Sequence, residues 1–329
     1  LIFYFNMLDI QKFIFLNRKN WREKLTSHPY NLKIKFSDDE KLVMFKYDQK
    51  ESDMNLNIVQ EARGLVLSNY LFEVVCNPFQ KFFNYGERTR AYPIDLSEPH
   101  IIYEKVDGSL IKLYYDYYNE HWRLSTNGSF NLEDVDVLNP NKYMSNFEDI
   151  FYDVVDKGNF WENVNNKFDR DNTYIFEIFH PNNPIVVNTG EKYLTLIGVK
   201  SNDLRHDYVI DGSFKKLINF SDNIRIPDTL NKDFQSVDGV KEYARKRSLK
   251  HERCKFEGFV IAQTDSNKSK ITGRVKIKTW KYLNSHHKWD VGGYFNNLLK
   301  IILENETAEI EAYISDAPKH VIEAYYDIK

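Results

Sequence analysis

A lysine and an aspartate flank a single valine at Lys105-Val106-Asp107, with Gly108 directly behind, between two runs rich in Ile, Leu and Tyr. Two readings fit this K-x-D-G. In one it is a hairpin turn that happens to carry charges. In the other Lys105 is a nucleophile at the end of a strand, and Gly108 lets the backbone come close to a phosphate. Charged residues inside other apolar runs bear on the choice. Glu177 interrupts TYIFEIF and Glu257 opens EGFVI, where burial of an unpaired carboxylate is costly. Gly258 follows in what reads as a strand, where glycine marks a close backbone approach. Lys276 and Lys278 stand two apart in VKIKT, so both leave one strand face while Ile277 takes the other. Each has an ordinary explanation alone: an ion-pair partner for Glu177, a solvated face for the lysines. In the order K-x-D-G, F-E-I, E-G-F-V and K-I-K they are hard to explain as packing.

Groups like these need strands to hold them, and the pattern supplies strands. ARGLVLS (62–68) and LFEVVCN (71–77) read as a hairpin around Asn69, and SLIKLYYDYY and HWRLST as another around Asn119 and Glu120. Phe147, Ile150, Phe151, Val154 and Val155 have helical spacing and predict a helical insertion over 145–169. TYIFEIF (173–179), PIVV (184–187) and YLTLIGVKS (193–201) return to strand. VKEYARKRSLK (240–250) reads as a helix, and FEGFVIAQ (256–263) with GRVKIKT (273–279) as a final pair of strands. After Tyr282 the character changes: GGYFNNLLKIILEN and the segments from Ala308 to Ile328 read as two or three helices. This places a large domain over 1–284 and a small helical domain over 285–329.

Composition bounds the function. The 329 residues are 42% hydrophobic and 28% charged, the profile of a globular protein. A net charge of −3 gives no global positive field, so any polyanion site must be a local patch. Aromatics at 15% favour β-rich packing and leave rings for stacking on bases. Cys76 and Cys254 fit no zinc or redox spacing and read as free thiols of a reducing cytoplasm. The opening stretch LIFYFNMLDIQKFIFLNRKNW is broken by Asn6, Asp9, Gln11 and Lys12, short of the ~18 apolar residues a membrane span needs. A buried helix or strand is expected there, with Met7 a candidate start.

The ordered motif set resembles that of the covalent nucleotidyltransferases, the DNA ligases, RNA ligases and capping enzymes. EKVDGSL is similar to their motif I, IFEIFHPNNPIVV to motif III, LTLIGVK to motif IIIa, EGFVI to motif IV and VKIKTWKYLNSH to motif V. Upstream, EARGLVLSNYLFEVVCNPFQKFFNYGE resembles the R-G…P-x-x-K-F-F-N segment of the bacteriophage-type single-strand RNA ligases, RNA ligase family one. The resemblance covers roughly residues 60–287. It implies an α+β, ATP-grasp-like adenylation domain of antiparallel sheets with flanking helices, followed by an all-helical C-terminal domain.

What the resemblance implies for individual residues follows. Lys105 attacks the α-phosphate of ATP, for which it must be neutral although an unperturbed lysine titrates near ~10.4. Reaching neutrality takes about 3 units, or ~4 kcal/mol, which Lys276, Lys278 and a metal ion would supply as like charges while holding the α-phosphate. Arg63 and Lys81 would hold the β- and γ-phosphates, with Phe83 supporting that wall. Glu104, Gly108, Gly258 and Val260 would complete the nucleotide pocket. Glu177 would accept a ribose hydroxyl or order metal waters, and Asp107, Glu177 and Glu257 would place Mg²⁺ (Mn²⁺ as an alternative) through water. The adenylate then passes to an RNA 5′-phosphate, a 3′-hydroxyl attacks it, and AMP leaves. Tyr282 is the candidate for that later stage. Asn127, in STNGSF (125–130), stands where the family often has a basic residue, which removes a charge-assisted contact to the RNA end.

The implied partners are single-stranded RNA ends, tRNA-like breaks among them, and an end-healing polynucleotide kinase/phosphatase. The implied setting is a monomer in the cytoplasm, that of a phage or virus host included, with no membrane. Two other classes stand beside this one. A DNA ligase or GTP-using capping enzyme would normally carry an oligonucleotide-binding domain after motif V, where this sequence predicts helices. A catalytically silent nucleic-acid-binding relative is disfavoured by the joint presence of Lys105, Glu177, Glu257, Lys276 and Lys278.

Overall fold

A computed structural model describes residues 7–87, 91–187, 190–250, 254–287, 298–299, 302 and 307–328. Along the chain run the strands β1 (Lys33–Phe36), β2 (Leu42–Lys46), β3 (Arg63–Ser68), β4 (Val74–Cys76), β5 (His100–Lys105), β6 (Ser109–Asp116) and β7 (His121–Ser125). They continue with β8 (Asp136–Asn141), β9 (Met144–Asn146), β10 (Asn172–Phe179), β11 (Tyr193–Ser201), β12 (Ile224–Arg225), β13 (Gly258–Thr264) and β14 (Ile271–Lys278). The chain divides into two compact units. One is built from residues 1–81, 108–184 and 190–226, the other from 82–107, 185–189 and 227–329.

In the first unit, β1-β2-β3-β4 form an antiparallel sheet, and β12-β11-β10-β6-β7 a second one in which only β11 and β12 run parallel. Both expected hairpins are present. The first sheet packs Leu42, Met44, Val66, Val75 and Cys76 with Tyr114 and Phe130 in one buried cluster. The insertion predicted over 145–169 is a pair of helices, Phe147–Val154 and Lys157–Lys167, started by Asn146 and Asp156 side chains that accept backbone N–H groups. The N-terminal stretch forms the helix Asp9–Leu16, which buries Ile10 and Ile14. The carboxylate of Glu61 accepts its first amides, Asp9 N (3.0 Å) and Ile10 N (2.9 Å).

The second unit is organised on β14-β13-β5, all antiparallel. One face of this sheet carries Ile102, Phe259, Ile261, Val275 and Ile277, packed on the helix Val237–Ser248 through Val237, Val240 and Ala244. By alternation the other face carries Tyr103, Lys105, Val260, Lys276 and Lys278. The C-terminal segment, expected as a domain from residue 285, is tied into this unit. Its helix Thr307–Tyr313 buries Tyr313 completely, and the Tyr313 hydroxyl accepts the backbone N–H of Lys278 at 2.8 Å. A last helix spans Lys319–Ile328. Most of GGYFNNLLKIILEN lies outside the described residues.

One expected strand is not a strand. PIVV (184–187) is irregular although its composition is β-forming, because the amides of Val186 and Val187 both donate to a carboxylate, Asp107 Oδ2, instead of to a ladder (2.9 and 2.6 Å). Among the described residues, no helix is long and apolar enough to cross a membrane.

Candidate active site

Lys105 ends β5 and pairs in register with Gly258, which in turn pairs with Lys278 of β14. Two residues away, Tyr103, Val260 and Lys276 make the next row on the same face. A lysine face on a central sheet repels itself, and the compensating charge is Glu257, 3% exposed at the head of β13. Lys105 Nζ donates to Glu257 Oε2 at 2.9 Å, and Lys278 Nζ lies 3.9 Å from Oε1. Burial pushes the Glu257 carboxyl up, while Lys105 and Lys278 pull it down and Asp107 adds to the rise. The group next to Lys105 is thus a desolvated carboxylate within proton-transfer distance.

Gly258 separates the two lysine-bearing strands with φ +155°, and a Cβ there would collide with the carbonyl oxygen of Ile277. What approaches this glycine closely is the neighbouring strand itself. Lys276 is held from both sides of its peptide: its N–H donates to Phe83 O (3.1 Å), and its carbonyl accepts Tyr85 N (2.9 Å). This seats the segment from Phe83 along β14, with Phe83 buried and the Phe82 ring 5.9 Å from Lys276 Nζ.

Asp107 departs from its expected role. Its Oδ2 accepts Val186 N and Val187 N, its Oδ1 accepts the Tyr282 hydroxyl at 2.7 Å, and it is 7% exposed. Three donors leave this carboxylate little capacity for a metal. Tyr282 is likewise buried, and its hydroxyl is committed to Asp107 rather than presented to an RNA end. Glu104 is not with the nucleophile either: adjacent strand residues point to opposite faces, and its carboxylate meets Arg247 of the Val237–Ser248 helix at 2.6 Å. Among the described residues no three His, Cys, Asp or Glu side chains converge as metal ligands. With Glu257 turned to two ammonium groups, direct protein ligation of Mg²⁺ does not fit this arrangement.

The other expected residues belong to the first unit. Glu177 lies half-exposed in the middle of β10, where its Oε1 accepts the N–H of Gly108 at 3.1 Å. Gly108 is glycine because a side chain would run into the Ile178 carbonyl and Glu177 Cγ. Arg63 opens β3 opposite Lys46. Lys81 donates its backbone N–H to Gln60 O, and its Nζ lies 5.5 Å from the Tyr47 ring centroid. Asn127 sits in the turn after β7 with its Oδ1 buried and without a hydrogen-bond partner. Sequence reasoning missed Lys112, in SLIKLYY. It is wholly buried, donates to Gly64 O at 2.5 Å, and burial pulls its pKa down to about 8, with Cys76 opposing and Arg63 adding to the fall. A charge inside an apolar run was the signal that exposed Glu177, and it was equally present here.

The family model described as RNA ligase matches residues 61–282, more than half of the chain. Among curated relatives, a protein named as a bifunctional polynucleotide kinase/RNA ligase of Autographa californica nuclear polyhedrosis virus is 27% identical over 308 residues, which cover 91% of this chain and 41% of that protein. An RNA ligase of Rhodothermus phage RM378 is 26% identical over 275 residues, covering 68% of this chain and 59% of the phage protein. The chain therefore spans less than two thirds of the length of either relative. Among solved structures, an archaeal ATP-dependent RNA ligase in its form 1 has TM-score 0.52 and 11% identity, with 93% of this chain and 74% of that one covered, a likeness of fold. The matched span holds the strands of Lys105, Glu177, Glu257, Lys276 and Lys278, and on that match the chain belongs to the phage-type RNA ligase family.

Proposed function

We propose that this protein is an ATP-dependent RNA ligase that joins a 3′-hydroxyl to a 5′-phosphate on single-stranded RNA through a lysyl-AMP intermediate. The observation that carries the reading is Lys105 at the end of β5, hydrogen-bonded at 2.9 Å to a buried glutamate on a sheet face it shares with Lys276 and Lys278. Lys105 Nζ gives a proton to Glu257, whose raised affinity for protons suits it to accept one, and the freed amine attacks the α-phosphate. The N–P bond forms, the α–β P–O bond breaks, and pyrophosphate takes the electron pair. Lys276 and Lys278 hold the α-phosphate oxygens and stabilise the charge that develops. Arg63 and Lys81 hold the leaving phosphates, and Glu177 accepts a ribose hydroxyl.

Bound Mg²⁺ would supply further charge neutralisation on the phosphates of ATP. Asp107 and Tyr282 act on the reaction by fixing the chain next to Lys105. In the second stage the RNA 5′-phosphate displaces Lys105 from AMP. In the third the 3′-hydroxyl displaces AMP. We place the reaction in a cytoplasm, beside an enzyme that heals broken RNA ends to the required 3′-hydroxyl and 5′-phosphate.

The test is incubation with α-labelled ATP and Mg²⁺, followed by acid denaturation. Wild-type protein should retain the label, with GTP labelling poorly. Lys105→Ala should carry none, and neither should Lys105→Arg, since guanidinium stays protonated. Label persisting on Lys105→Ala would remove the basis of the assignment.

A further inference from the structure

Lys112 lies in β6 between Ile175 of β10 and Ser125 of β7, and its side chain is wholly buried. Among the described residues no carboxylate pairs with it. An unpaired ammonium is one of the costliest groups to bury, so a lysine kept at this position calls for a reason. Its Nζ donates to Gly64 O, which leaves two further donors on the ammonium. Two buried oxygens without a hydrogen-bond partner lie on the same side: Ser125 Oγ directly across the ladder, and Asn127 Oδ1 in the turn that follows.

All of these groups close on one point of the backbone. Gly64 follows Arg63 and has φ +81°, and a Cβ there would fall 2.5 Å from Lys112 Nζ, 2.7 Å from Asn127 Cα and 2.9 Å from Asn127 Oδ1. The lysine thus fastens the chain one residue beyond Arg63, and Arg63, Lys112 and Asn127 all belong to the first unit. The titratable groups around Lys112 come from several strands. Burial pulls its pKa down to about 8, the Cys76 thiol of β4 opposes the fall, and Arg63 of β3 adds to it. Lys200 of β11 acts on Cys76, and Lys46 of β2 reaches over the same turn, near Gly128. The ladder partners Ile175 and Ser125 carry no charge. An anion held by Arg63 would change this balance, since it offsets the neighbouring cation and favours the charged form of the lysine.

We propose that Lys112 is a positioning residue of the leaving-phosphate site: it fastens the backbone behind Arg63 and supports the bound phosphates with a positive charge from the core. A proton from solvent binds the free electron pair of Nζ as the phosphates arrive, and it is released again when pyrophosphate departs. The inference rests on the ligase reading for the identity of the phosphates.

Proton exchange on nucleotide binding is the first measurement. Mg²⁺-ATP is titrated calorimetrically into Lys105→Ala, which cannot form the lysyl bond, in buffers of different ionisation enthalpy. At about pH 8.5 the protein should take up about half a proton per ATP bound. The double variant Lys105→Ala, Lys112→Met should take up none. In the second measurement, Lys112→Met alone should need severalfold more ATP for half-maximal self-labelling at neutral pH. Its sealing of a pre-adenylated RNA should stay at the wild-type rate. No uptake by Lys105→Ala would overturn the proposal, whether or not the methionine variants fold. So would uptake that survives Lys112→Met, which would belong to another group. Equal losses in labelling and sealing would overturn it too, by reducing Lys112 to a support of the fold. Lys112-dependent uptake in a protein that ATP never labels would instead keep the phosphate site and remove the ligase reading.

Discussion

In the proposed reaction the side chain of Glu257 does two things at once: it neutralises a lysine face, and it offers Lys105 a base 2.9 Å away. Removing its charge but not its shape tests both. Glu257→Gln should lower the rate of lysine adenylation by about 10²-fold or more, the usual contribution of a positioned base. Labelling should recover partly as pH rises, because the amine must then lose its proton to solvent. A pH-independent loss would mean that Glu257 serves only as a counter-charge. Tyr282 allows a similar separation. If its hydroxyl supports Asp107, Tyr282→Phe should lower stability by about 1–3 kcal/mol by leaving a buried acceptor short of a donor, with labelling and sealing falling together. A loss of sealing alone, with melting unchanged, would return the hydroxyl to the RNA end.

At the scale of elements, the strands were legible and their partners were not. Arg63–Ser68 and Ser109–Asp116 announce themselves by β-branched and aromatic runs, and the helices of the insertion by their spacing. PIVV carries the same signal, yet its amides answer to a carboxylate 79 and 80 positions earlier, which no local pattern records. Glu104 differs again: the resemblance puts it in the nucleotide pocket with Lys105, while strand alternation turns the two side chains to opposite faces. Lys33, Lys46 and Arg63 illustrate a third reason, since they face one another across β1, β2 and β3 only through register. Strand β6 supplies a prediction of its own. Lys112 has its pKa lowered to about 8 by burial, so above that pH the folded chain has shed a proton that the unfolded chain keeps. Stability should therefore rise between pH 8 and 9 relative to Lys112→Met, by about 1 kcal/mol in denaturant unfolding. Above pH 9 the Cys76 thiol, pushed up by burial, opposes the trend. Parallel pH profiles for the two proteins between 8 and 9 would show that the lysine titrates normally.

Across the whole molecule, the proposed machinery is divided by chemical stage. Arg63 and Lys81 belong to the first unit, and Lys105, Glu257, Lys276 and Lys278 to the second. Residues that hold the leaving phosphates matter only until pyrophosphate departs. Arg63→Ala and Lys81→Ala should therefore impair self-adenylation yet spare sealing of a pre-adenylated RNA, as followed by gel. Equal losses in the two assays would make them supports of the fold or contacts to RNA.

The second unit is assembled from three separated stretches of chain, and Asp107 touches all of them: it ends the first, accepts Val186 and Val187 of the second, and holds Tyr282 of the third. On the ribosome that clasp cannot close in the order in which it is written. Asp107 emerges 175 residues before Tyr282, and the strands that flank Lys105 with Glu257, Lys276 and Lys278 are also late products of synthesis. On the proposed reading, a nascent chain long enough to contain Lys105 still lacks Glu257, Lys276 and Lys278, and the proposed lysine chemistry waits for them.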